Sequence, residues 1–283
     1  MQTIYYSFFS RGYTESVGTL STCLQEFGAA AGLQVNRLKS NIYLAGVDDT
    51  TRRRLLSITG FQEGTMPFRY LGIPMAAERL RIADYSPLLD SLVRRINIWP
   101  QKTLSYAGKA QLITSVLQGV ECFWLSIMPL PQGVIDRIYS ICRSFMWTSK
   151  HPPVSWADMC RPKQESGLGF RDLKAWNLAL LAKVLWRIQA KEDALWIKWV
   201  HHTYLRRADI WTWEAAHSDS PLIKRLLRIR DLILSAAGSQ EDARQRLAAW
   251  FAQDGGVARA YDFFRHPSPK KPWARAVWKT YLQ

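Results

Sequence analysis

Apolar side chains recur every three or four residues through most of this chain, and only short extended runs near its beginning break that rhythm. A 3.6-residue period predicts helices packed on their apolar faces, with little sheet. Residues 4–9, rich in tyrosine and phenylalanine, read as a strand. Thr14 or Ser16 then caps a helix carrying Val17, Leu20, Leu24, Phe27 and Ala31 on one face, and Gly32 suits its end. Residues 33–36 and 41–44 read as short strands around a turn. Asp48 and Asp49 precede a short helix through 55–58 that Gly60 stops, and residues 68–73 read as a further strand in a small hairpin.

After Pro74 the helical period takes over. Ser86-Pro87 opens a helix with Leu88, Leu89, Leu92, Val93 and Ile96 inward, and Trp99-Pro100 closes it. A second helix runs from about Ser105 through Leu112, Ile113, Val116, Leu117 and Val120 to Phe123-Trp124. A third carries Val134, Ile135, Ile138, Ile141, Cys142, Phe145 and Met146 and ends at Trp147. Residues 148–170 read as a loop with a Gly167-Leu168-Gly169 turn. Helices follow at about 171–190 and 192–205, and another starts at Ser220-Pro221. The tail from about Asp254 is punctuated by glycine and proline. The fold class expected is mainly α, with a small α+β part ahead of a three-helix bundle and further helices.

Charge adds direction to this picture. Lysine and arginine total 38 against 23 acidic residues, a net charge of +15. The first fifty residues carry −1, residues 51–150 carry +7, 151–200 carry +3 and 201–283 carry +6. A polyanion is the natural partner of such a chain, and the part after residue 50 is where it would lie. Thirteen tryptophans point to several large packing junctions. Cys23, Cys122, Cys142 and Cys160 lack the close spacing of zinc ligands and read as reduced, non-liganding thiols. The opening residues lack a signal peptide's basic-then-apolar pattern, and no uncharged stretch approaches the ~20 residues of a membrane span, which predicts an intracellular chain without one.

Little in the sequence points to catalysis. Asp48-Asp49 is an adjacent carboxylate pair of the kind that holds Mg²⁺, but its place before a helix suits capping better. Asp84 and Asp90 read as surface charge. His201-His202 are neighbours on a helix and do not converge on one ion. No nucleophile elbow or phosphate-binding glycine loop occurs. The basic clusters carry more: Arg52-Arg53-Arg54, Arg94, Arg95, Lys102 and Lys109, and Lys224, Arg225, Arg228 and Arg230 are candidate phosphate contacts. Tyr70 and Tyr106 are candidates for stacking on bases or sugars.

Several strings together resemble a known family. Gly32-Leu33-Gln34-Val35-Asn36 with Lys39-Ser40 resembles the segment after the catalytic strand in reverse transcriptases of LINE-type, non-LTR retrotransposons, especially those of plants. Phe68-Arg69-Tyr70-Leu71-Gly72-Ile73 is similar to the hairpin that grips the primer end. Trp99, Leu104-Ser105-Tyr106-Ala107-Gly108-Lys109, Leu112-Ile113, Pro129-Leu130-Pro131, Phe145-Met146-Trp147 and Trp156 are similar to its thumb region. Cys160-Arg161-Pro162-Lys163, Gly167-Leu168-Gly169-Phe170, Asp172-Leu173 and Trp176-Asn177 match the same signature. The resemblance implies a palm remnant at 1–75, a thumb-like bundle at 76–150 and a helical connector at 151–253. Residues 254–283 would be the start of a zinc-binding region that the chain does not complete.

The same resemblance places the family's Mg²⁺-binding Asp-Asp pair at Ile4 and Tyr5 in one register, or at Met1 and Gln2 in the other. Neither supplies a carboxylate, and two-metal nucleotidyl transfer requires them. Lys39 matches a motif lysine thought to aid pyrophosphate departure. The expectation is therefore a catalytically inactive reverse-transcriptase-derived fragment, without cofactor, that binds RNA or RNA–DNA duplex with little sequence preference through Tyr70, Arg94, Arg95, Lys102, Lys109, Lys224, Arg225 and Arg228. A structural or protein-interaction remnant is the alternative, and a fragment of an active RNA-directed DNA polymerase completed by a separate palm is a third.

Overall fold

In a computed structural model, the residues described are 14–76, 80–100, 102–147, 152–206, 208–217, 219–252, 256–267 and 269–282. The strand expected at 4–9 lies outside them. The fold is mainly α, and the chain divides into two units, Met1–Asp84 and Tyr85–Gln283.

The first unit contains α1 (Thr14–Ala31), β1 (Asn41–Ile42), α2 (Asp49–Thr59), β2 (Gln62–Glu63), β3 (Phe68–Tyr70) and β4 (Ile73–Met75). Two independent two-stranded sheets result. β1 pairs with β2 in parallel, and β3 with β4 as an antiparallel hairpin, Arg69 opposite Pro74. The strand expected over 68–73 is thus two strands. Leu71 at φ 50° and Gly72 at φ 83° make the two-residue reversal, a conformation that favours glycine. Residues 33–36 are not a strand either. The Asn36 side chain accepts from Leu38 and Lys39 N–H at 3.1 and 3.2 Å and caps a 3₁₀ turn, a local bond that competes with extended pairing. Asp48 caps α2 through Thr51 N–H at 3.1 Å, and Gly60, left-handed at φ 62°, ends it. α1 packs on α2, yet Val17 is its one buried residue. A ring stack, Tyr43 on Phe68 at 3.9 Å, needs the missing side chain of Gly64, whose Cβ would fall 2.3 Å from the tyrosine ring.

The second unit begins with α3 (Ser86–Ile98), α4 (Tyr106–Leu112) running through a π turn (Ile113–Leu117) into α5 (Gln118–Ile127), and α6 (Gln132–Met146). Leu88, Leu92, Ile113, Leu117, Val134, Ile135, Ile138 and Phe145 are almost wholly buried, so these helices form the expected bundle. The π turn has a local cause. Thr114 and Ser115 hydroxyls donate back to the Ala110 and Gln111 carbonyls at 3.0 and 2.7 Å, loosening two successive backbone bonds. Tyr106–Ile127 is long and apolar enough by composition to cross a membrane, a length the sequence reading did not anticipate because Lys109 and Glu121 interrupt it. Both of these charges are buried in the bundle.

The rest of the unit comprises α7 (Trp156–Met159), α8 (Leu173–Gln189), α9 (Leu195–Val200) with a π turn to Leu205, α10 (Pro221–Ala237), α11 (Gln240–Phe251), α12 (Val257–Arg265) and α13 (Ala274–Leu282). α8 is covered on several sides, by α5, α6, α10, α11 and α12. Ala175, Ala179 and Ala182 of α8 and Ala260 of α12 are buried and small, which permits close approach of the two helices. The tail, though punctuated by glycine and proline, is largely helical among the described residues. Ser239 caps α11 by accepting from Asp242 N–H at 3.1 Å, and α12 and α13 fold back onto the 159–172 segment. There Trp278 Nε1 donates to the Ser166 carbonyl at 2.7 Å, and Arg265 pairs with Glu165 at 2.8 Å, both largely shielded from solvent. Gly167 has no room for a side chain, since a Cβ would sit 2.0 Å from the Arg161 carbonyl oxygen.

One polar junction lies inside the bundle. Glu121 is 2% exposed and accepts from the Cys142 thiol at 3.5 Å. Burial pushes its carboxyl up to about 7, against the opposing effects of that thiol and of the nearby Arg171. Stability from protonated Glu121 is fully present below the ordinary value of 4.5 and is lost as pH rises through about 7. Glu121→Gln should therefore stabilise the protein on the order of 3 kcal/mol at pH 8 and hardly at all at pH 4. Denaturant melts at the two pH values measure this, and equal effects at both would refute it. Gly167→Ala should cost more than about 2 kcal/mol in the same assay.

Candidate nucleic-acid interface

The basic residues predicted as contacts separate once the chain is folded. Lys39 and Tyr70 belong to the first unit, Lys39 exposed on the 3₁₀ turn and Tyr70 half-buried at the end of β3. Arg94, Arg95, Lys102 and Lys109 come from the α3–α4 region, and Lys224, Arg225 and Arg228 from α10. Ile4, Tyr5, Met1 and Gln2 lie outside the described residues. Among those described, no group of three or more histidine, cysteine or acidic side chains comes together as a metal site.

The burial pattern of α3 turns Arg94 and Arg95 to solvent because Leu88, Leu92 and Ile96 point inward. Its partner α6 does the same with Arg137 and Arg143, opposite Ile138, Cys142 and Phe145. A groove of about 290 Å³ separates the two helices, lined by Val93, Ile96, Ser140, Ile141, Ser144 and Phe145. Arg94 adjoins Val93, and Arg137 lies one helical turn before Ser140 and Ile141, so both flank the groove. Arg94, Arg95, Lys102, Arg137 and Arg143 are all exposed, and none of these side chains has an ion pair or hydrogen bond among the described residues. Asp136, next to Arg137 on α6, is taken up by Lys174 at 3.2 Å and Gln132 at 2.8 Å, whereas Asp90, one turn before Arg94 on α3, is exposed.

Lys109 does not join that face. It is 4% exposed, with its ammonium 5.6 Å from the Tyr106 ring and 5.9 Å from that of Phe145. The aliphatic stem packs as a core side chain, and the charge rests on aromatic faces. Tyr106 in turn packs on Trp147 at 5.1 Å. Sequence spacing put Lys109 beside Arg94 and Lys102; the rotation of α4 about its axis turns it inward. Arg137 and Arg143 escaped notice in the sequence, although both sit on the polar stripe of a strongly amphipathic helix.

On α10, Lys224 donates to the His217 carbonyl, and Arg230 is buried between Asp231 and the carbonyls of Ile210 and Trp213. Arg225 is half-buried, and Arg228 is exposed. The thiols stay protonated: burial holds Cys122, Cys142 and Cys160 above the ordinary value. All four cysteines are free. Asp48, the stronger half of the acidic pair, serves as the α2 cap.

No protein-family model matches the chain. Over 186 residues, 63% of its length, it is 28% identical to an Arabidopsis thaliana protein named "Putative ribonuclease H protein". The chain is a distant, partial relative of that protein. The matched part spans 30% of the relative's own length.

If Lys109 is a core residue, Lys109→Met should change stability by less than about 1 kcal/mol and leave the affinity for polyanions unaltered. Heparin-column elution beside a thermal melt tests this, and a marked loss of retention would return Lys109 to the interface.

Proposed function

We propose that this chain is a reverse-transcriptase-derived segment that holds nucleic acid without catalysing its synthesis, engaging phosphates through the α3–α6 face. The observation that carries the reading is the basic surface of these two helices, on which Arg94 and Arg137 flank the groove, Arg95 and Arg143 are exposed beside them, and none of the four side chains forms an ion pair among the described residues. Such cations gain by displacing the counter-ions of a polyanion, which gives affinity without sequence selection. The motif resemblance to LINE-type reverse transcriptases supports the same class of partner. So does the relative, whose name is that of a nucleic-acid enzyme.

Four phosphate contacts imply that affinity for an RNA–DNA duplex falls about 100-fold between 50 and 200 mM salt. Fluorescence anisotropy on duplexes of unrelated sequence measures it. Arg94→Glu with Arg137→Glu should weaken every duplex alike and flatten the salt response. A salt-independent affinity in the native chain would sink the reading. Primer extension with Mg²⁺ tests the inactive part, and incorporation above background would overturn it.

A second reading, docking of the first unit on another protein, draws on its exposed apolar side chains: Phe27, Leu33, Leu38 and Leu71 are 53%, 59%, 82% and 64% exposed. Pull-down by the isolated basic face variant, with duplex binding lost, would favour it.

A further inference from the structure

Helix α10 carries four cations within two turns and no acid in its first turn; Arg230 is buried, which leaves Lys224, Arg225 and Arg228. At i, i+3 and i, i+4 spacing, Arg228 lies between the other two on one side of the helix. None forms an ion pair among the described residues. Lys224 uses one donor on the His217 carbonyl. Arg225 uses one of five guanidinium donors, on the Leu130 carbonyl at 3.5 Å, the long limit of such a bond. That carbonyl is shared, since Asn177 Nδ2 also donates to it at 2.9 Å. Arg228 uses none.

Arg225 is the unusual member. It is half-buried without a carboxylate, so its donors have left water and gained almost nothing. Burial pulls the guanidinium below its ordinary range, and the like charge of Arg228 adds to this while Tyr85 opposes it. Two more deeply shielded arginines are handled differently: Arg265 meets Glu165 and Asp262, and Arg230 meets Asp231 and two carbonyls. Arg228 and Lys224 open on a cleft of about 720 Å³, also lined by Glu214, His217, Arg230 and Asp231, and Arg225 stands next to Arg228 outside that lining. Asp231 is committed to Arg230, while Glu214 is exposed on the rim and faces the cleft unpaired.

We propose that Arg225 and Arg228, assisted by Lys224, form a binding site for a phosphate oxyanion on α10. The planar donors of the two arginines match the oxygens of a tetrahedral phosphate in paired fashion, and a point charge from Lys224 completes the neutralisation. The site lies on a different helix from the α3–α6 face and stands whether or not that face engages nucleic acid. Its phosphate belongs either to a nucleic-acid backbone or to a free phosphate compound, and competition separates the two sources.

The test uses the whole chain with inorganic pyrophosphate as probe, read by thermal shift and by calorimetry, with sulfate-free buffer. Pyrophosphate should raise the melting temperature of the native chain. Arg228→Ala, at an exposed side chain with no partner to lose, should weaken pyrophosphate about 10- to 100-fold. Arg225→Lys keeps the charge but loses the fork and should weaken it about tenfold. Glu214→Gln should instead tighten it about threefold by removing a like charge from the rim. Pyrophosphate binding that these three variants leave unchanged, or no binding by the native chain, overturns the proposal. Displacement of pyrophosphate by duplex identifies the backbone as source, and its absence a free phosphate compound. Pyrophosphate bound by a chain that binds no duplex would remove the α3–α6 reading and leave this site standing.

Discussion

The start of α8 lies where α6, α8 and α12 meet, and its Leu173 N–H is buried away from water. Asp172 answers for Lys174 and Ala175 N–H at 2.9 and 3.4 Å. The Tyr139 hydroxyl from α6 accepts from Leu173 N–H at 2.8 Å while donating to the Asp172 carboxylate at 2.9 Å. From α12, the Tyr261 hydroxyl accepts from Asp172 N–H at 2.9 Å. Each bond is modest alone, but leaving one buried donor without a partner costs about 1–3 kcal/mol. Three helices are therefore locked in register by one cap. With α6 held by Tyr139, the opposite side of that helix, carrying Arg137, is held outward.

Aromatic rings fill the space that this register leaves. Trp99 packs on Phe145, Trp156 lies between Tyr139 and Phe170, and Trp176 meets Tyr261 edge-on while Arg171 covers its face at 4.2 Å. Trp250 closes the far end against Phe263 and Phe264. Large rings at helix ends set spacing between helices that differ in direction, where aliphatic side chains alone would leave gaps.

Charge in the second unit is divided by use. Arg265 and Arg230 are neutralised inside the protein, whereas the arginines of α3 and α6 and Arg225 and Arg228 of α10 form no ion pair among the described residues. Solvated arginines on a helix face cost little, so the α3–α6 surface is stable without a ligand. Arg225 is different because burial has already removed much of its hydration. The two basic regions thus differ in kind, one a solvated surface, the other centred on a partly desolvated arginine.

Much of the helical plan was legible in residue order. Ser86-Pro87, Ser105, Asp48 with Gly60, and Ser220-Pro221 each mark a boundary that the fold observes, because caps and φ preferences act within a few residues. The apolar period likewise identified the inward faces of α3 and α6. The tail was less legible: it is punctuated by glycine and proline, yet α12 and α13 form, with Tyr261, Arg265 and Trp278 finding partners about a hundred residues earlier. Local preference also failed over 33–36, where Asn36 spends its side chain on a turn.

Chain order alone thus determined that this is a basic, mainly helical protein with tryptophan-marked junctions, since periodicity, capping and net charge are properties of neighbouring residues. Only the folded arrangement decided which cations are available. Lys109 and Arg94 look alike in sequence, but helix rotation buries one against Tyr106 and Phe145 and leaves the other in water. Glu121 and Arg225 acquire their unusual states the same way, from elements far away in the chain that exclude water around them. Desolvation depends on everything packed around a group, and no local pattern encodes it.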